Sequence, residues 1–131
     1  MTERDWVAEH LEEIKKYQKR LESTPVEMKV QRIEILSRML VFIGKLAATF
    51  SEEYKNIYAE RKYVYAEAEL AAEKNKKAHA EIAVRELRKQ EAKAYGNMQR
   101  WRNAFDSTKE EINALKYKVK IDVEDGSSRM R

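Results

Sequence analysis

The chain has 131 residues, enough for one domain of ordinary size. Charged residues make up 38% of it, Gly occurs 3 times, Pro once and Cys never; this composition favours helix and excludes disulfides and thiolate metal sites. The net charge of +4 is unevenly spread: residues 1–73 carry 12 Lys/Arg against 14 Asp/Glu, residues 74–131 carry 15 against 9, and the split suggests a basic working face in the second half.

The N-terminal stretch MTERDWVAEHLEEIKK has acids in its first turn and no apolar core segment, so no signal peptide is expected. A first helix is expected over residues 3–21, with Val7, Leu11, Ile14 and Leu21 on one stripe and Trp6 and Tyr17 beside it. The segment Glu22-Ser23-Thr24-Pro25 ends it. The same segment reads as the next start signal, with Thr24 as N-cap, Pro25 at the first helical position and Glu27 closing a capping box.

A second helix is expected over residues 25–73. Its heptad core positions are Ile33, Leu40, Ala47, Tyr54, Arg61 and Ala68 in one set, and Leu36, Ile43, Phe50, Ile57, Val64 and Ala71 in the other. A second stripe, Ile35, Met39, Phe42 and Leu46, makes this helix apolar on two faces, so it needs two partners. The longest apolar run, Met39–Ile43, is far short of the ~20 residues that cross a bilayer, and no membrane association is expected.

A third helix is expected over residues 78–121. Its core sets are Val84, Glu91, Met98, Phe105, Ile112 and Val119, and Ala80, Leu87, Ala94, Trp101, Thr108 and Leu115. The two heptad frames do not join. A reversal around Glu73–His79 explains the jump, and Asn75 is the residue there that tolerates a left-handed backbone. Folded back, the helices bring Arg61 and Glu91, the only charged core residues, within about one layer of each other. The alternative is one continuous helix with a stutter, pairing only between chains. Residues 122–131 are polar and are expected to form a flexible tail. The predicted fold class is therefore all-α: an N-terminal helix plus a long, coiled-coil-like antiparallel hairpin, one helical domain over residues 1–121, with the little core per residue favouring a homo-oligomer.

The sequence offers no catalytic constellation, so an enzyme is not expected, and neither is a cofactor. His10 and His79 lie on different elements, and Glu67, Glu69 and Glu73 lack a matching His, so no metal site is expected. Gly44, Gly96 and Gly126 are too scattered to make a phosphate-binding loop. What stands out is a basic-aromatic surface. Tyr58, Lys62 and Tyr65 share an edge of the second helix; Lys74, Lys76 and Lys77 stand at the bend; Arg85 and Arg88 lie beside the seam of the third helix, followed by Tyr95, Gln99 and Arg102. Cations for phosphates and flat rings for exposed bases are what single-stranded nucleic acid requires. Edge Tyr and Arg also shield coiled-coil seams, and that reading stands beside the first.

Residues 93–118, KAYGNMQRWRNAFDSTKEEINALKYK, contain Lys93, Met98-Gln99-x-Trp101, Asp106 five residues after the Trp, and Ala114-Leu115-Lys116-x-Lys118. Upstream stands Ala59-Glu60-Arg61-Lys62-Tyr63-Val64-Tyr65. In these two elements the chain resembles the UvsY-like recombination mediator family of tailed bacteriophages. Lys62 falls on an Arg of that family's basic-aromatic motif and Tyr65 on a Tyr, with Glu60 in place of its Lys; the first 50 residues add nothing to the likeness. The resemblance implies a small helical protein that assembles into closed rings in the host cytoplasm. It further implies binding of single-stranded DNA, and contact with a RecA-like recombinase and a single-strand-binding protein. The last helix would belong to ring assembly, giving Trp101, Phe105, Ile112 and Leu115, with Phe42 and Leu46, as the expected oligomer interface. The rival expectation is a structural coiled-coil scaffold or virion assembly protein without a nucleic-acid role.

Overall fold

The computed structural model describes the backbone of residues 4–129 and the side chains of residues 4–126. Among the described residues four helices follow in order: α1 (Trp6–Glu22), α2 (Lys29–Ala71), α3 (Lys76–Ala83) and α4 (Arg85–Arg129). No strand occurs among the described residues. The fold is all-α, with a long helix pair packed together. The chain groups into two compact units, residues 1–46 with 101–131, and residues 47–100.

In the first unit, α1 begins where Asp5 caps it: Ala8 N–H donates to Asp5 Oδ1 at 3.0 Å. The expected start, Glu3, lies outside the described residues. Glu9 in the first turn and Lys19 and Arg20 in the last complement the helix dipole. At the other end the Thr24 hydroxyl donates to the Arg20 carbonyl at 2.6 Å. The Arg32 guanidinium donates to the carbonyls of Leu21 and Thr24 at 3.0 and 2.9 Å, satisfying acceptors that the helix end leaves open. This corrects the capping-box expectation. Thr24 closes α1 rather than opening α2, Pro25 to Met28 form a turn (Met28 N–H to Pro25 O, 3.1 Å), and α2 starts at Lys29.

Leu21 of α1 meets Ile35, Leu36, Met39 and Ile43 of α2 and Ile112 of α4 in one buried cluster, with Ile14, Tyr17, Trp101 and Phe105 packed around it. The second apolar face of α2 is thus filled from within the chain: Ile35, Met39 and Leu46 are buried. Each such side chain removed from water contributes roughly 1.5–3 kcal/mol. Gly44 lets the Phe105 ring approach, since a Cβ there would lie 3.2 Å from it. Lys29 Nζ meets Asp122 Oδ2 at 2.7 Å, so within this unit α2 and α4 run antiparallel. The expected tail also needs correction. Helix α4 persists past Ile121 to Arg129, tied by that ion pair and with Val119 and Val123 beside Val30 in a shallow groove; residues 130–131 lie outside the described residues.

In the second unit the chain reverses at Asn75, whose φ of 52° and ψ of 48° place it in the left-handed region. The helix expected over 78–121 instead begins at Lys76 and is interrupted at Val84 (φ −103°, ψ 8°), which separates α3 from α4. Ala80, Val84, Ala94 and Met98 are buried here. The Arg61 guanidinium donates to the Glu91 carboxylate through Nε at 2.5 Å and Nη2 at 3.2 Å, and both side chains keep only 15% of their exposure. The hydrogen bond to Glu91 raises the Arg61 pKa above its ordinary value against the opposing effect of burial. All twelve heptad positions expected on the returning arm, from Ala80 to Val119, are shielded, and on α2 Ala71 alone of the twelve is exposed.

Candidate functional site

The expected nucleic-acid residues all fall in the second unit. Tyr58, Lys62 and Tyr65 lie on α2, Lys74 in the reversal, Lys76 and Lys77 in the first turn of α3, and Arg85 and Arg88 in the first turn of α4. Lys62 and the five residues from Lys74 to Arg88 are exposed, while Tyr65 is half-buried.

A ring series crosses the hairpin. Tyr58 and Tyr54 have centroids 6.3 Å apart on α2, and Tyr54 meets Tyr95 of α4 edge-on at 5.4 Å. Two cations of α2 stand over Tyr58, Arg61 at 5.2 Å and Lys62 at 5.0 Å from its centroid. The Tyr95 hydroxyl accepts from Gln99 Nε2 at 3.0 Å. Tyr58 keeps 37% exposure and Tyr95 46%, so the two ends of the series are open while Tyr54 is inside the seam. Tyr58 and Lys62 are therefore brought together as expected. Their third ring is Tyr95 rather than Tyr65, a partner that only the hairpin register reveals. Nearby, Tyr63 hydrogen bonds Glu67, and that bond, with the carboxylate charge, raises its phenol pKa.

The cations differ in how they are held. Arg88 is engaged: its Nε and Nη2 each donate to Glu81 at 2.9 Å, with side chains 45% and 50% exposed. Among the described residues, Lys74, Lys76, Lys77 and Arg85 form no ion pair. Lys76 and Lys77 occupy the positive end of α3, whose first turn has no acid. That placement is unfavourable for the helix by itself, since the dipole repels cations there.

The expected oligomer interface is redistributed. Leu46 and Ile112 are buried within the chain itself, Ile112 in the cluster it shares with Leu21 of α1 and Leu36 of α2, which corrects their assignment as contacts for a neighbour. Trp101, Phe105 and Leu115 are half-buried against the same core. Phe42 is half-covered by α1, where Trp6, His10, Phe42 and Tyr17 form a second ring series with centroids 6.1, 5.8 and 6.1 Å apart. Arg4 lies 3.9 Å over Trp6 and Lys45 5.1 Å over Phe42. The i,i+4 spacing of Trp6 and His10 was the available signal for this series. No group of three or more His, Cys, Asp or Glu among the described residues is placed to hold a metal, and no helix among them is long and apolar enough to cross a membrane.

Compared with protein-family models, with curated proteins and with solved structures, the chain gave no match in any of the three.

Proposed function

We propose that the chain is a non-enzymatic recombination accessory protein that binds single-stranded DNA along the second unit and assists loading of a RecA-like recombinase against a single-strand-binding protein in the host cytoplasm. The observation that supports it best is the tip of the hairpin. Lys74, Lys76 and Lys77 are exposed, lack an intramolecular anion among the described residues, and crowd the positive end of α3. An external phosphate relieves that repulsion. Along the same unit, Tyr58 and Tyr95 offer faces for bases, with Lys62 beside the first.

Repetition of such a surface in a homo-oligomer would turn weak contacts into avidity for a strand spanning several copies. Contacts between copies then use apolar groups still open to solvent, such as Val30 and Val123 or Leu70 and Ile82, not Leu46 or Ile112.

The test is a fluorescence-anisotropy titration with single-stranded DNA across salt. Lys62→Glu and the pair Lys76→Glu/Lys77→Glu each weaken binding at least about tenfold at low salt, as expected when phosphate contacts become repulsions. The same variants keep the wild-type mass by light scattering. The exposed apolar groups favour a second reading, a structural scaffold; it is supported instead if wild-type oligomers ignore single-stranded DNA even at low ionic strength.

A further inference from the structure

We infer that Glu81 is a built-in competitor for the strand: its carboxylate occupies the phosphate-binding fork of Arg88 and sets how many phosphates the protein neutralises. The inference rests on the single-strand-binding reading above and concerns the regulation of that surface.

Glu81 lies on α3 and Arg88 on α4. On a regular helix residues seven apart are separated by about 10.5 Å along the axis. Here they meet across the interruption at Val84, and the guanidinium takes both carboxylate oxygens, each at 2.9 Å. A planar guanidinium fork accepts a carboxylate and a phosphate in the same two-acceptor geometry, so the two anions cannot share it. Both partners are about half exposed, so water screens the pair and its competition with phosphate is modest in size. Neighbouring Lys74, Lys76, Lys77 and Arg85 carry no such internal anion among the described residues. Arg88 is thus a contact that Glu81 withholds from the strand while its neighbours remain available.

Glu81→Gln removes the competitor, and Glu86→Gln is the charge-matched control. Glu86 makes a single 3.4 Å contact with Lys89, with both side chains well exposed, so Lys89 is already available. Binding of oligo-dT is measured across a salt series, with helicity checked by circular dichroism. Glu81→Gln tightens binding about two- to fivefold at moderate salt. It also steepens the slope of log K against log salt by about 0.7, one added phosphate on a single strand. Glu86→Gln gives the smaller, slope-neutral change of a lost surface charge. Arg88→Gln costs little alone and cancels the whole gain when added to Glu81→Gln.

Equal effects of Glu81→Gln and Glu86→Gln, or a gain that survives Arg88→Gln, overturn the inference. If that happens while Lys62→Glu still weakens binding, the reading of the surface stands and only the competitor role falls. If the wild type binds no strand at low salt, both fall together.

Discussion

Arg61 and Glu91 show how far one pair of residues shapes a seam. In a run of apolar layers, two opposite charges are satisfied only when they face each other, so every other register leaves at least one of them buried without its partner. Glu91→Ala should cost roughly 2–4 kcal/mol in urea unfolding, less than for fully enclosed charges because some solvent reaches both side chains. Arg61→Met with Glu91→Leu should recover most of that loss or exceed the wild type. A Glu91→Ala protein as stable as the wild type would show that the pair contributes no constraint. Tyr63 gives a smaller signal in alkaline titration. Its phenol is raised in the folded state, so its stabilisation is present below the ordinary tyrosine range near 10 and is lost as pH climbs through the raised value. Glu67→Gln should bring the Tyr63 transition back toward the ordinary phenol range.

Among the elements, the reversal and the glycines allow sharp comparisons. Asn75→Ala replaces a residue type that tolerates the left-handed region with one that does not and should destabilise by about 1 kcal/mol, whereas Asn75→Gly should be neutral or better. Gly96 lies inside α4 with nothing near its missing Cβ, so Gly96→Ala should add about 0.8–1 kcal/mol by helix propensity. Gly44→Ala receives the same backbone benefit but pushes on the Phe105 ring, so its gain in thermal melting should be visibly smaller.

These elements also show what could be read in advance. Heptad periodicity located the seam, the frame jump located the reversal, and the lone charged positions located the ion pair, because each is a local consequence of 3.5-residue spacing. The start of α2 was not legible. Thr24-Pro25-x-Glu27 has the composition of a helix start, but the Thr24 hydroxyl is claimed by a carbonyl of the preceding helix, a competition that local pattern does not record. The interruption at Val84 was hidden because Val84 and Ala80 keep their apolar roles on both sides of it. Leu46 and Ile112 stand on apolar stripes, and a stripe announces burial without saying whether the same chain or a neighbour provides it. Of the candidate interface, the cations were legible but their state was not: only the fold distinguishes Arg88, held by Glu81, from Lys74, Lys76 and Lys77, which have no ion pair among the described residues.

At the scale of the molecule, the two units differ in how much core each has. Residues 1–46 with 101–131 enclose a three-helix cluster of large side chains, while residues 47–100 bury mainly Ala80, Val84, Ala94 and Met98. Opening free energy follows buried apolar contact. Amide exchange at concentrations too low for self-association should therefore be slower around Leu36, Ile43 and Ile112 than around Val64, Leu87 and Glu91. Uniform protection across both sets would contradict that ranking.

The clasp that Arg32 makes on the carbonyls of Leu21 and Thr24 ties the fate of the first arm to a residue of the long rod. Cutting the chain after Pro25 would not yield a trimmed but sound protein. It would strip the greasy flank of Ile35 and Met39 bare and leave the Arg32 fork with no backbone to grip. Such a fragment should precipitate or cling to chaperones, and deletion experiments that remove the first arm would then measure stickiness rather than lost function.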